Sequence, residues 1–263
     1  MCIHNARIWY GKKLTLPLHL FRLDGHVAIV TGASRGIGHA IACGLSNAGA
    51  QVIGLGRSEA MQVNTLGFDY SICDITNTTA FNELVQCLFG RAGRIDILVN
   101  AAGITLPAHE DSDPSVSFRQ TLACNLTAVF DCCSTVIPCM QAGGYGSIIN
   151  VTSIGASLGF PGNPGYVASK GGLAALTRAL ALDYGLQGIR INNLVPGYIR
   201  TAMTQTTYSN LERRQARSSR TILGRWGEPE ELIGPAIFLS SPASSYVTGS
   251  ELFVDGGWSA KGL

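Results

Sequence analysis

The chain has 263 residues, 46% hydrophobic and 14% charged, with a formal net charge of +2. Such a composition can bury a sizeable core and excludes a disordered chain. A near-neutral balance without any Lys/Arg run excludes nucleic acid as the expected partner, and no apolar run approaches the ~18 residues of a membrane span.

Residues 1–22 read as an N-terminal extension. Arg7, Lys12 and Lys13 precede an apolar stretch that Pro17 and His19 interrupt, with no small-residue cleavage site after it, so a secretory signal is not expected. The eight cysteines form no C-x-x-C pair and no zinc-ligand spacing with His. They fall mostly inside apolar patterns, as small hydrophobes do, which fits a reduced, cytoplasmic setting. Asn77, Asn125 and Asn150 each begin an Asn-x-Thr triplet, and the matches are read as chance.

From residue 23 strands and helices alternate. Residues 27–31 are an apolar run of the buried parallel type. The run enters Thr31-Gly32-Ala33-Ser34-Arg35-Gly36-Ile37-Gly38, and a helix is expected over 39–48. Strand, glycine turn and helix are the context of a dinucleotide loop, in which backbone N–H groups reach a pyrophosphate at a helix N-terminus. A second strand, 51–55, leads to Gly56-Arg57-Ser58. An NAD-binding unit usually carries a carboxylate at that offset to take the ribose 2′-OH. Gly56 followed by Arg57, with Arg35 in the loop, favours a 2′-phosphate and therefore NADP(H) over NAD(H).

A third strand over 68–73 ends at Asp74-Ile75, an amphipathic helix follows over 77–91, and a fourth strand over 95–99 reaches Asn100-Ala101-Ala102-Gly103. A polar loop over 103–113 precedes one long helix, 114–140, which contains Asn125. A fifth strand, 146–151, closes on Thr152-Ser153. The next helix opens with Tyr166-Val-Ala-Ser-Lys170. Residues four apart share a helical face, so the ammonium is expected to stabilise phenolate and lower the phenol's pKa from about 10 toward neutrality. A sixth strand, 189–195, breaks at Pro196-Gly197-Tyr198-Ile199-Arg200-Thr201. The polar stretch to 224, with Arg213, Arg214, Arg217 and Arg220, reads as a solvated face or a mobile substrate lid. A helix over 229–240 and a strand over 251–254 complete the pattern. The expected fold is a single-domain, Rossmann-type, doubly wound parallel seven-stranded sheet with helices on both faces, spanning 23–263 with a lid at about 200–224.

Thr31-Gly32-x3-Gly36-x-Gly38, Asp74, Asn100-Ala-Ala-Gly103, Asn125, Ser153, Tyr166-x3-Lys170 and Pro196-Gly197 together resemble the short-chain dehydrogenase/reductase family over about residues 23–258. The resemblance implies alcohol–ketone interconversion by hydride transfer. In it Tyr166 is the proton donor and acceptor, Ser153 binds the carbonyl oxygen, Lys170 binds the nicotinamide ribose and lowers the pKa of Tyr166, and Asn125 holds a relay water. It also implies adenine contacts from Asp74 and Ile75, a wall beside the adenosine ribose from Asn100, Ala101 and Gly103, and nicotinamide contacts from Pro196, Gly197, Ile199 and Thr201. Two departures stand out: Ala101 replaces a frequent second Asn, and the segment from Arg57 to Cys73 is short, which implies an abbreviated helix.

The last third looks most like the sugar-acid members, gluconate 5-dehydrogenase and 2-keto-3-deoxygluconate dehydrogenase. His109, Glu110 and the arginines of 213–220 are candidates to meet hydroxyls or a carboxylate. A 3-oxoacyl-(acyl-carrier-protein) reductase, docking an acidic carrier on the same arginines, is the alternative. A non-catalytic NADP(H) sensor is the alternative of another class. The expected partners are a small carbonyl or alcohol, no nucleic acid, no membrane and further copies of the chain. The resemblance implies a tetramer, and Ala123, Ala128, Cys132, Gly172, Ala175 and Ala179 are read as small exposed positions for helix pairing.

Overall fold

The computed structural model of the protein describes residues 17–58, 67–106 and 113–261. One sheet carries all seven strands described: β1 (Val27–Thr31), β2 (Gln51–Gly56), β3 (Asp69–Ile72), β4 (Ile97–Asn100), β5 (Gly146–Val151), β6 (Ile189–Pro196) and β7 (Glu251–Val254). Their order is β3-β2-β1-β4-β5-β6-β7 and every pairing is parallel. The inner strands are buried on both faces, which is why they read as unbroken apolar runs. Edge strand β3 is only partly buried.

Helices cover both faces. α1 (Gly36–Asn47) and α8 (Ile233–Ser240) pack Ile41, Leu45, Ala236 and Leu239 against Ala28, Val30, Val99 and Ile149. On the opposite face α2 (Thr78–Ala92), α4 (Ala128–Gly143) and α5 (Pro164–Tyr184) bring Phe81, Val85, Val136, Met140 and Leu173 onto Ile29, Leu98, Ile148 and Ile191. Alternate strand residues therefore feed two separate cores. The strand order reverses between β1 and β4, and the crevice outside their carboxyl ends is where open sheets of this kind bind ligands.

Several boundaries differ from the sequence reading for physical reasons. Helix α1 begins at Gly36 itself, because the glycine turn is its first turn. Asn77 caps α2, its side chain accepting from the Ala80 N–H. The long helix expected over 114–140 is not continuous: α3 (Pro114–Leu122) passes through a π-turn, Ala123–Thr127, before α4 resumes. One extra residue rotates the helical face by about 100° at a single point, too local a break to stand out in a pattern this rich in small and apolar residues. By length and composition the whole rod, Pro114–Gly143, is apolar enough to cross a membrane. Its inner side is spent on the sheet, Ala128 and Cys132 included, which removes those two from the expected pairing surface. Ala123, Ala175 and Ala179 are exposed as expected. The 202–224 stretch holds two short helices, α6 (Gln205–Ser209) and α7 (Leu211–Ser218). The expected abbreviated helix after β2, the pair His109 and Glu110, and residues 1–16 of the extension lie outside the described residues. Pro17–Phe21 form a 3-10 turn leading into fully buried Leu23, whose N–H donates to Ala48 O at 2.9 Å.

A polar chain crosses the apolar interior. Asn100, Asn150 and Asn193 are register neighbours on β4, β5 and β6, and all are buried. Asn100 Nδ2 donates to Asn150 Oδ1 at 2.9 Å, Asn150 Nδ2 to Thr177 Oγ1 at 2.8 Å, and Thr177 Oγ1 to Asn193 Oδ1 at 2.7 Å. The single hydroxyl of Thr177 thus ties α5 to two strands. Thr177→Val keeps the shape and leaves a buried donor and a buried acceptor unpaired. It is expected to cost on the order of 3 kcal/mol, seen in urea unfolding as a lower midpoint with an unchanged slope.

Candidate active site

At the switch point the backbones of two loops nearly touch. A Cβ on Gly32 would lie 2.8 Å from Ala102 Cα, and Gly32 has φ +71. The Thr31 hydroxyl accepts from the N–H groups of Ala101 and Ala102 at 3.2 and 3.1 Å, fastening the two strand ends together. A Cβ on Gly38 would collide with Gly32 O at 2.3 Å, so α1 can sit this close only as glycine. The N-cap of α1, Arg35, makes no side-chain cap, which leaves the first N–H groups of the helix free for an outside acceptor. Gly36, at φ +60, faces the Thr201 methyl at 3.5 Å from where a Cβ would stand. The cradle fits the pyrophosphate of a dinucleotide: uncapped donors, a helix dipole and no side chain in the way.

The proton-active side chains converge beside this cradle. Ser153 follows β5 and is almost fully buried. Its Oγ accepts from the Gly155 N–H at 3.0 Å, and Ser153 lies close enough to the Tyr166 phenol to favour its ionised form. Helix α5 starts cleanly because Pro164 occupies its first turn, and Tyr166 and Lys170 sit on its first two turns. Lys170 is buried, donates from Nζ to Val151 O at 2.7 Å, and stands 5.8 Å from the Tyr166 ring centroid. A Cβ on Gly103 would lie 3.8 Å from Lys170 Nζ, so the end of β4 faces the lysine.

The expected acidification of Tyr166 does not follow from this geometry. Burial pushes the phenol above its usual 10, and hydrogen bonding from Ser153 offsets only part of that. Burial also brings Lys170 down to about 8, so the neighbouring cation is itself partly neutral near physiological pH. Spacing places the two groups correctly; the desolvation that accompanies their placement was not readable from it.

Asn125 sits in the π-turn, fully buried. Its Oδ1 accepts from Ile104 N and its Nδ2 donates to Ile104 O, both at 2.8 Å, with a second donation to Ser169 Oγ at 3.2 Å. Both amide protons are used, so the side chain clamps the loop after β4 and can meet a further donor only through the second lone pair of Oδ1. Asn100 is reassigned likewise: its side chain belongs to the buried chain described above and also donates to Cys133 Sγ, leaving only backbone for a ribose wall. The Ile75 and Ile199 side chains are core residues. Asp74 Oδ1 accepts from the Thr76 N–H and hydroxyl, which hold its carboxyl below the usual range.

At the far end of the cradle, Arg35, Arg57 and Ser58 are exposed. A Cβ on Gly56 would stand 2.2 Å from the Tyr70 hydroxyl, which donates to Ser58 O at 2.7 Å, and 3.3 Å from Ser34 Cβ. Tyr70 therefore fills the space that a side chain at position 56 needs. At the other end, Gly197 permits a close crossing, a Cβ there lying 2.7 Å from Asp255 Cα. Pro196 closes β6, and the Thr201 N–H donates to Thr204 Oγ1 at 3.0 Å.

A cleft of about 350 Å³ opens beside the proton-active group, walled by Phe160, Tyr198 and Trp258 and by Arg217 and Arg220 of the 202–224 stretch. Phe160 stacks on Tyr166 with centroids 6.4 Å apart, and Tyr198 packs on Trp258 at 4.9 Å. Sequence reading missed this aromatic wall, whose members are spread over a hundred residues without a shared motif.

Sheet, cradle and proton-active group together define a dinucleotide-dependent enzyme of the doubly wound class. Residues 32–259 match the family described as Enoyl-(Acyl carrier protein) reductase. The gluconate 5-dehydrogenase of Gluconobacter oxydans (strain 621H) is 40% identical over 246 residues, covering 90% of this chain and 96% of the relative. The 3-oxoacyl-(acyl-carrier-protein) reductase FabG of Vibrio cholerae is 36% identical, covering 89% and 98%. A crystal structure of gluconate 5-dehydrogenase from Burkholderia cenocepacia J2315, in complex with NADP and tartrate, superposes with a TM-score of 0.88 at 37% identity over 94% of this chain and 100% of that one. The chain belongs to the short-chain dehydrogenase/reductase family and is an NAD(P)-dependent oxidoreductase.

Lys170 offers a test of the buried site. In the unfolded chain it holds its proton up to about 10.5, in the folded protein only to about 8. Between those values the unfolded state binds more protons, so this group makes stability rise with pH, in full above 10.5 and lost as pH falls to 8. The unfolding free energy of the wild type is expected to gain roughly 3 kcal/mol on that of Lys170→Met across this window. A flat difference would mean that the ammonium is not desolvated.

Proposed function

We propose that the protein interconverts a secondary alcohol and a ketone on a sugar acid, using NADP(H) in preference to NAD(H). The observation that carries the chemistry is the convergence of Ser153, Tyr166 and Lys170 at the ends of β5 and β4, next to a cleft one of whose walls, Phe160, stacks on Tyr166. The nicotinamide, when bound, supplies or accepts the hydride. Tyr166, held protonated by burial, donates H⁺ to the carbonyl oxygen in reduction, and Ser153 hydrogen-bonds the same oxygen and fixes its orientation. Lys170, anchored on Val151 O, lies where it can meet the nicotinamide ribose and replenish the phenol's proton. Gly32, Ser34, Gly36, Ile37 and Gly38 hold the pyrophosphate, and Arg57 with Arg35 takes the 2′-phosphate. Tyr70 beside Gly56 supports that preference because it leaves no room for a ribose-binding carboxylate there.

The sugar-acid reading rests on the relatives: besides the gluconate 5-dehydrogenases, the 2-dehydro-3-deoxy-D-gluconate 5-dehydrogenase of Pseudoalteromonas atlantica (strain T6c) is 39% identical over 252 residues. The acyl-carrier-protein reductases compete with it at slightly lower identity. Turnover of keto-aldonates against acetoacetyl thioesters, with NADPH and NADH in parallel, separates the two, and preferential thioester reduction overturns the sugar-acid reading. Tyr166→Phe is expected to lower kcat by about 10²–10⁴-fold while NADPH binding, read by nucleotide fluorescence, is retained. Arg57→Ala is expected to raise KM for NADPH roughly 10- to 100-fold, as loss of a charged hydrogen bond does, and to leave KM for NADH unchanged.

A further inference from the structure

The four arginines of 213–220 do not share one environment. Arg213 is exposed, whereas the Arg214 guanidinium lies over the Tyr208 ring at 5.2 Å, with Arg200 on the same ring at 5.0 Å. Arg217 and Arg220, one turn apart, instead face the cleft. Arg217 lies over Tyr198 at 5.2 Å and Arg220 over Trp258 at 4.7 Å. A guanidinium held over an aromatic ring keeps its charge and its planar set of N–H donors. Two guanidinium groups thus line the same cleft as Phe160, the ring that stacks on Tyr166.

Their charges are uncompensated. Elsewhere around the lid Arg200 pairs with Glu228 at 3.9 Å and Arg225 with Glu231 at 2.7 Å, but among the described residues neither Arg217 nor Arg220 has a carboxylate within ion-pair distance. Asp255, close in sequence to Trp258, is spent on the N–H groups of Gly257 and Ser259 and on the Ser259 hydroxyl. Arg217 donates once, to Arg213 O at 3.3 Å, and its Nε is shut from solvent without an acceptor. A buried cationic donor without an acceptor is costly in the protein alone, and a planar anion with two oxygens is the group that matches a guanidinium fork.

We infer that Arg217 and Arg220 are the carboxylate-recognition residues of this enzyme, holding the acid end of the substrate in the Phe160–Tyr198–Trp258 cleft so that a carbon further along the chain reaches Tyr166 and Ser153. The inference deepens the sugar-acid reading and rests on it. It assigns the arginines to substrate selection and away from docking an acidic carrier protein on the outer surface. Selection by charge follows: a neutral polyol or ketose of the same length fills the cleft and leaves both forks unsatisfied.

The test pairs the best-used acid of a panel of six-carbon aldonates and keto-aldonates with its carboxamide, which keeps the shape and removes the charge. The wild type is expected to prefer the acid. Arg217→Met and Arg220→Met each lower kcat/KM for the acid roughly 10- to 100-fold, mainly through KM, lower it far less for the carboxamide, and leave the dissociation constant of NADPH near wild type. Arg217→Lys retains part of the acid preference, which separates charge recognition from lost packing on Tyr198. Equal losses on acid and carboxamide, or no loss on either, overturn the inference while the sugar-acid reading stands. If no acid is turned over and acetoacetyl thioesters are, the sugar-acid reading fails and the inference with it.

Discussion

An ammonium group buried against a main-chain carbonyl holds the site together. Lys170 Nζ bonds to Val151 O at the end of β5, and the cost of taking that charge out of water is visible in a pKa brought down to about 8. The bond fixes the start of α5 over the strand ends, and the fixed helix sets the Tyr166 phenol beside Ser153. A second anchor two turns along, the Thr177 hydroxyl between Asn150 and Asn193, keeps the same helix from rolling on the sheet. The interior thus carries polar groups where an apolar one would pack as well, and the return is orientation.

Much of this frame was legible in the sequence, for definite reasons. Parallel strands buried on both faces leave unbroken apolar runs, so β1, β5 and β6 are found within a residue of their ends. The glycine turn is legible because Gly32 and Gly38 stand where any Cβ would strike backbone. Tyr166 and Lys170 declare themselves by their spacing on one helical face. What spacing does not carry is where a side chain spends its hydrogen bonds. Asn100 and Asn125 match the motif, and their amides are engaged by Asn150 and Ile104 within the protein. The π-turn at Ala123–Thr127 is a single local break in a helical pattern, and the pKa directions of Tyr166 and Lys170 depend on a burial that no spacing states.

The arginine run shows the same limit from the other side. A charge run is ordinarily a solvated face, and Arg213 conforms. Three neighbours are instead shelved on aromatic rings: Arg214 on Tyr208 of the same stretch, Arg217 on Tyr198 beyond the end of β6, and Arg220 on Trp258 of the carboxyl-terminal segment. Each ring holds a guanidinium without neutralising it, so Arg217 and Arg220 keep their positive charge at the cleft.

Tyr70 has a bearing on which side chains position 56 accepts. Its phenol occupies the volume next to Gly56 and is held there by Ser58 O. An aspartate arriving at position 56 would have to displace that ring and break its bond before reaching a ribose. Positions 56 and 70 are therefore coupled, and substitutions at the two are not expected to add.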